Sequence, residues 1–431
     1  MSFHRQTTMT VKAKRRIGFV STRLAGTDGV SLEVEKWTSV FGSMGCDCFY
    51  FAGETDWPAE TSYVVEEAHF KHPEIKAIHD DLFDNYTRSP ETSEKTQRLK
   101  LFLKNHLYKF VDQYKIDLLI AENALSIPMN VPLGLAITEL VAETNIPTIA
   151  HHHDFAWERP RYKVSAASDY QLGAFPPILP SIRHVVINSY AARQLALRTG
   201  LSSTLIPNVM DFDASQPQLE KEYVHDFRRN LNIETDEYIL LQPTRIVPRK
   251  RIELAIELTR RLDMNCVLLI THSAGDEGVE YEKHLREYAR LLDVRVIFAS
   301  EWFGYRRALK SDGRKIYSLA DAYLLADIVT YPSTLEGFGN AFLEAIYYCK
   351  PVVISTYEIF RTDIQPKGFE VIGLGDFITE DAIQRTRQML LNPGLVEEIV
   401  DHNFELGRRH YSYSVLKKRL AALVEEMLGL E

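Results

Sequence analysis

Residues 328–348 read Ile328-Val329-Thr330-Tyr331-Pro332-Ser333-Thr334-Leu335-Glu336-Gly337-Phe338-Gly339-Asn340-Ala341-Phe342-Leu343-Glu344-Ala345-Ile346-Tyr347-Tyr348. A short β-branched run, a loop with two glycines and an apolar helical stretch follow one another, which reads as a strand-to-helix unit. Gly337 and Gly339 let backbone amides come close to a ligand. The loop presents unpaired N–H groups at a helix N-terminus, a place suited to a diphosphate. Glu336 and Glu344 bracket it, eight positions apart. A diphosphate would repel a carboxylate in the first turns, so Glu344 makes chemical sense against neutral ribose hydroxyls and Glu336 against those of a sugar. Ribose, diphosphate and sugar in series describe a nucleotide sugar. The plainer reading is an amphipathic helix with two solvated glutamates, and the rest of the chain decides between them.

Working outward, the same alternation recurs. Strands are expected at Tyr238–Gln242, Cys266–Ile270, Arg295–Phe298 and Pro351–Ser355, with helices over 252–262, 280–292 and 315–326 and a helical close over 381–428. The first half repeats the pattern. Strands are expected at 16–21, 48–52, 117–122, 146–151, 184–188 and 203–207, with helices over 32–44, 96–114, 133–144 and 190–199. Residues 56–95 are charged, carry Pro58, Pro73 and Pro90, and read as an irregular insertion. Strand–helix alternation implies a parallel sheet covered on both faces. A polar, proline-containing stretch at 208–218 separates two such halves. The expected division is a disordered or tag-like lead over 1–15, an N-terminal domain over 16–207, a linker over 208–218, a C-terminal donor domain over 219–400, and a helix over 401–431 that returns to the first domain. Ligands of doubly wound sheets bind outside the carboxyl ends of the strands, so a cleft between the domains is the expected site.

Composition bounds the function. A chain of 431 residues is too long for one ordinary core. The net charge of −9 disfavours general nucleic-acid binding. No apolar run approaches a membrane span, and the basic, apolar-poor start is not a secretory signal. The cysteines Cys46, Cys48, Cys266 and Cys349 are scattered and lack metal-ligand spacing. They fit reduced thiols and a cytoplasmic location. Oligomeric state leaves no mark in the sequence.

Arg245 and Lys250 lie five apart on the loop after Tyr238–Gln242, where guanidinium and ammonium can converge on one anion. Arg249 and Arg251 are expected to point away. Arg23-Leu24-Ala25-Gly26-Thr27-Asp28-Gly29 sits where a phosphate-binding turn would be, although it is not G-x-G-x-x-G. His151, His152, His153 and Asp154 end a strand. Side chains alternate there, so at most His151 and His153 share a face, and a structural metal is not assigned. Asp211-x-Asp213 is likewise assigned no metal.

The stretch Glu336–Glu344 resembles the E-x7-E signature of the retaining glycosyltransferase family 4, whose fold is GT-B. Arg245 and Lys250 resemble its R-x4-K element, and the glycine loop resembles its own, with Asp28-Gly29 in place of two glycines. The resemblance covers the chain from about residue 16. It implies an α/β GT-B fold, two Rossmann-like doubly wound domains facing an interdomain cleft. It also implies a hexosyltransferase that moves glucose or mannose from a nucleotide-diphosphate sugar to a hydroxyl of a small acceptor, with retention. No further cofactor and no metal are implied, and small-molecule donor and acceptor are the partners. The catalytic set it implies is His153, Glu336, Arg245 and Lys250. The donor is expected on Gly29, Arg245, Lys250, Gly337, Phe338, Gly339, Asn340 and Glu344. Arg23, Asp28, Asp154, Trp157 and Arg159, with Arg161, are the acceptor candidates, and their arginines suit a phosphorylated or carboxylated acceptor. Asp154 is expected to orient His153 or a hydroxyl. The base is expected near Ser273 and Trp302–Gly304.

No carboxylate nucleophile for a double displacement stands out. A front-face route, with the departing diphosphate oxygen taking the acceptor proton, fits better. The chain departs from the family in two further places: Ser355-Thr356-Tyr357 lacks the usual Gly-Gly, and Lys350 replaces a glycine. A sugar-nucleotide epimerase of the same fold and a non-catalytic binder are the competing readings. An NAD-dependent oxidoreductase would need a G-x-G-x-x-G after a strand, which the chain lacks.

Overall fold

The computed structural model describes residues 14–26, 28–216, 218–274 and 279–429. The expected lead lies outside the described residues up to position 13, as does Thr27 of the glycine loop. Contacts divide the chain into two units. The first holds the described residues up to Val186, Gln194–Thr204 and those from Lys417 on; the second holds Ile187–Arg193 and Leu205–Leu416.

The first unit begins with β1 (Arg16–Val20), α1 (Gly29–Ser43), β2 (Asp47–Ala52), β3 (Ser62–Val64), α2 (Pro73–Leu82) and α3 (Pro90–Tyr114). It continues with β4 (Leu118–Glu122), α4 (Val131–Thr144), β5 (Thr148–His152), α5 (Ser168–Ala174) and β6 (Ile182–Val186). α6 (Ser189–Thr199) and β7 (Thr204–Leu205) lie at its border with the second unit. Its strands form one sheet in the order β3-β2-β1-β4-β5-β6-β7. α3 buries Leu103, Leu107 and Phe110 at helical spacing, packed with Leu133, Ile137 and Leu140 of α4. Residues 56–95 are more regular than expected. β3 pairs parallel to β2 through only three residues, too few to show a period. α2 and α3 both start on a proline, which costs nothing at a first helical position.

The second unit opens with α7 (Lys221–Val224), α8 (Phe227–Asn230), β8 (Tyr238–Gln242), α9 (Ile252–Leu262), β9 (Cys266–Ile270), α10 (Val279–Leu291) and β10 (Val296–Phe298). β11 (Phe303–Gly304), β12 (Ala308–Leu309), β13 (Lys315–Ser318), α11 (Leu319–Leu325), β14 (Ile328–Tyr331), α12 (Asn340–Tyr347), β15 (Val352–Ser355) and β16 (Ile372–Leu374) follow. The closing helices are α13 (Glu380–Leu391), α14 (Pro393–Tyr411) and α15 (Tyr413–Leu428). The main sheet runs β10-β9-β8-β14-β15-β16. Its strands are buried on both faces: Ile239, Leu241, Val267 and Leu269 join one core, Leu240, Leu268 and Ile270 the other.

The helix expected over 315–326 is shorter than its apolar pattern. Lys315–Ser318 is a strand between β11 and β12, and the side chain of Ser318 caps α11 in a reciprocal pair with Asp321. β16 was not anticipated, because three residues carry too little alternation. The helical close is broken at Asn392, which caps α14 ahead of Pro393. Residues 208–216 pack within the second unit: Met210 N–H donates to the Tyr411 carbonyl at 2.9 Å, and Phe212 is buried.

Both sheets reverse direction at one point. In the first unit the order turns between β1 and β4, in the second between β8 and β14. At such switch points the connecting loops leave in opposite directions and open a crevice at the carboxyl ends of the two strands. The loops that follow these four strands carry the chemistry described next.

Candidate active site

In the second unit β8 ends at Gln242 and β14 at Tyr331, so the loops after them stand side by side. The first carries Arg245 and Lys250, the second Glu336. The Lys250 ammonium contacts a Glu336 carboxylate oxygen, and both side chains are about nine-tenths buried. Arg249 joins them, 3.3 Å from the same oxygen, and donates to the Leu335 carbonyl at 3.0 Å. The expectation that Arg249 points away is therefore corrected. Its backbone is pinned because Thr334 N–H donates to the Arg249 carbonyl at 3.0 Å, which turns its side chain toward Glu336. Arg251 does turn elsewhere, to the Asp376 carbonyl. Burial opposes ionisation of Glu336, yet the charges of Lys250 and Arg249 outweigh it and hold the carboxyl below its ordinary range. Burial pulls the Lys250 ammonium down against the attraction of Glu336. Arg245 is exposed, and its guanidinium has no hydrogen bond or ion pair among the described residues, although its carbonyl accepts from the Val247 amide at 3.1 Å.

The glycine loop between Glu336 and α12 is held from several sides. Gly339 caps α12 at φ 114°, a conformation that favours glycine. Its amide and those of Asn340 and Ala341 have no partner among the described residues. Asn188 donates to the Gly337 carbonyl at 2.6 Å and Asn208 to the Asn340 side chain at 2.7 Å. The Tyr357 hydroxyl donates to the Phe338 carbonyl at 2.7 Å. Tyr357, in the segment that lacks the usual Gly-Gly, thus holds the loop through its hydroxyl. Lys350, at the other departure, reaches the Leu324 carbonyl at 3.0 Å. Glu344 accepts from the buried Tyr323 hydroxyl at 2.7 Å.

His272, two residues past β9, was not singled out by sequence because a lone histidine after a strand carries no pattern. Burial and the nearby Lys250 and Arg245 push it down to about 4, so it is neutral beside the two cations. Of the residues expected near a base, Ser273 accepts the Ile246 amide at 3.3 Å and Trp302 lies under Arg314.

In the first unit the carboxyl ends of β1 and β4 carry the glycine loop and Glu122. Asp28 caps α1 by accepting the Val30 and Ser31 amides at 3.1 and 3.3 Å, and Arg23 donates to it at 2.8 Å. The Gly29 amide has no partner among the described residues. His151 and His153 do share a face, and both turn to Glu122, a carboxylate with no exposed surface. His151 Nδ1 lies 2.9 Å and His153 Nε2 3.2 Å from one Glu122 oxygen. The His151 ring stacks on Trp37 at 4.3 Å. Burial opposes a charge on Glu122, but the two imidazoles outweigh it and hold it at about 2. Burial also opposes a charge on His153, and Glu122 raises it above its ordinary value. The three groups offer donor atoms within 4.8 Å of one another, close enough for a divalent cation.

The partner that orients His153 is thus Glu122 rather than Asp154, and the adjacent strands bring it there from 31 positions away. Asp154 instead accepts from Asn123 at 2.9 Å and pairs with Arg159. Trp157 is stacked between Phe155 and the Arg198 guanidinium, and Arg161 lies over Tyr162. His152 points the other way, into a buried chain with Ser126 and His184 at 2.5 and 2.9 Å. Asp213 accepts from the Ser414 amide and hydroxyl at 2.7 and 3.1 Å. Among the described residues no helix is long and apolar enough to cross a membrane.

Residues 224–368 match the family described as Glycosyl transferases group 1. The chain is 34% identical over 443 residues to the mannosylglucosylglycerate synthase of Thermotoga maritima, covering 94% of this chain and 99% of the relative. It is 34% identical over 383 residues to the mannosylglucosylglycerate synthase of Petrotoga mobilis, covering 83% and 86%. Among solved structures it is similar to a glycosyltransferase from Rickettsia africae, with a TM-score of 0.69 at 13% identity, covering 97% of this chain and 100% of that one.

Proposed function

Since this chain belongs to the group 1 glycosyl transferases, with the two mannosylglucosylglycerate synthases as relatives, and is a glycosyltransferase, we propose that it moves a hexose from a nucleotide-diphosphate sugar to a hydroxyl of a small carboxylated acceptor. The relatives' name favours mannose as the hexose and glucosylglycerate as the acceptor. The observation that carries the reading is the arrangement at the second unit's switch point. Exposed Arg245, the Lys250–Glu336 pair and the unpartnered amides of Gly339, Asn340 and Ala341 lie on two adjacent loops.

In this reading the diphosphate lies at the N-terminus of α12 and is held by Arg245, Lys250 and those amides, with no metal needed. Glu344 takes the ribose hydroxyls and Glu336 a sugar hydroxyl; in the first unit, His153 is the group assigned to a sugar hydroxyl. Arg23 and Arg159 supply positive charge for the acceptor carboxylate, while Asp28, Asp154 and Trp157 hold the surrounding backbone and rings. The bond between the anomeric carbon and the diphosphate oxygen breaks as the acceptor oxygen bonds to the same face. The acceptor proton passes to the departing diphosphate oxygen, and configuration is retained. A trapped glycosyl-enzyme adduct in mass spectrometry would contradict this front-face route.

The deciding experiment is nucleotide release from GDP-mannose, UDP-glucose, UDP-GlcNAc and ADP-glucose, each with glucosylglycerate, 3-phosphoglycerate or a sugar phosphate. The expected outcome is release that depends on glucosylglycerate, disappears in Glu336→Ala and needs much more donor in Arg245→Ala. Conversion of a nucleotide sugar into its epimer, with no acceptor-dependent release, would favour an epimerase. Binding of a nucleotide diphosphate with no release from any pair would favour a non-catalytic binder.

A further inference from the structure

We propose that Glu122 is a positioning residue that acts on the transferred sugar through His153, by fixing Nε2 as the protonated ring nitrogen and leaving Nδ1 to face the ligand. The proposal rests on the role given to His153 in the preceding section.

β4 and β5 are neighbours in parallel register, and Glu122 stands opposite His151. Side chains two apart on a strand share a face, so the Glu122 carboxylate meets His151 and His153 together. An ionised carboxylate only accepts hydrogen bonds. His151 Nδ1, at 2.9 and 3.1 Å from its two oxygens, and His153 Nε2, at 3.2 Å, must therefore both be donors. That leaves Nδ1 of His153, which has no partner among the described residues. The rest of the arrangement removes the alternatives. Glu122 has no exposed surface, so water does not compete for its oxygens. The His153 backbone amide donates to the Asn123 side chain at 3.1 Å, which fixes the main chain beneath the ring. Trp37 stacks on His151 and keeps the second donor in place. Without the carboxylate, either nitrogen of His153 could carry the proton and the ring could turn over. An amide at position 122 would do worse: with its NH2 toward His153, the proton would be forced onto Nδ1.

The test uses full-length protein as wild type, Glu122→Gln, His153→Ala and the double variant, with kcat and KM for nucleotide sugar and acceptor. Long-range proton–nitrogen spectra of 15N-histidine-labelled protein read the tautomer. The expected result is an Nε2–H tautomer for His153 in the wild type. Glu122→Gln should lose kcat on the order of a hundredfold, as a displaced catalytic contact does, with donor KM little changed. In the His153→Ala background the same change should add no further loss. Wild-type kcat in Glu122→Gln, additive losses in the double variant, or an Nδ1–H tautomer would overturn the proposal. So would one divalent metal ion bound per chain and lost in Glu122→Gln, since the three groups would then be its ligands. If Glu122→Gln does not fold, the wild-type spectrum decides. If the wild type releases no nucleotide from any donor, the preceding reading fails and the sugar role falls with it, while the spectrum still reports on the Glu122–His153 bond.

Discussion

Lys250 and Glu336, 86 positions apart, meet as a buried ion pair on the loops after β8 and β14, with Arg249 3.3 Å from the shared oxygen. Removing one partner strands the other charge. Lys250→Ala should therefore cost about 3 kcal/mol in denaturant unfolding, as single-partner removal from a buried pair does. Replacing both, as Lys250→Met with Glu336→Gln, should recover most of that stability and none of the transfer activity. Equal stability of the single and double variants would show that Arg249 alone satisfies the carboxylate.

Gly339 should tolerate no side chain. At φ 114° a Cβ is strained, and it would stand 2.1 Å from the Tyr357 hydroxyl. Gly339→Ala should lose roughly 1–3 kcal/mol for the strained backbone and raise the donor KM, because the α12 amides move. Tyr357→Phe should cost only about 1 kcal/mol, the net value of one hydrogen bond. Combining the two should relieve the contact but not the φ strain, which chemical denaturation of the three variants will separate.

Arg245 is expected to matter for binding and not for folding. It is exposed and unpaired among the described residues, so Arg245→Ala should leave the melting temperature unchanged. Loss of a charge-assisted bond to phosphate should raise the donor KM roughly ten- to a hundredfold. Arg245→Lys should restore part of it, since an ammonium keeps the charge and loses the bidentate fork. An unchanged KM for all donors would remove Arg245 from the phosphate site.

Stability should fall on mild acidification. His184 is buried and pushed down to about 4, and its partner His152 lies well below its ordinary value for the same reason. As pH falls below about 6.5 the unfolded chain takes up these protons and the folded chain does not. The contribution is therefore complete above pH 6.5 and lost progressively down to about 4. For His184 alone it amounts to about 3 kcal/mol. Unfolding free energies between pH 7.5 and 4.5 should show this slope, and His184→Leu should flatten it.

The chain by itself determined a good deal. Buried parallel strands need apolar runs of about five residues and helices need a 3.6-residue period, so β8, β9 and α9 could be delimited to the residue. The loops after β8 and β14 could be singled out because each combines glycine or basic residues with a following helix N-terminus within a short span, the pattern on which the proposed diphosphate site rests. Local sequence failed where an element is too short to show a period, as in β3, β13 and β16. It also failed where a partner is distant. Glu122 is an ordinary strand-end residue until β5 brings His151 and His153 beside it, and nothing local marks Arg249 as a partner of Glu336 rather than a solvated neighbour of Lys250. Pairings of this kind are set by which strands are adjacent and in what register, and strand order is a property of the whole sheet. The sequence thus determined which groups can do chemistry, while the tertiary structure decided which of them meet.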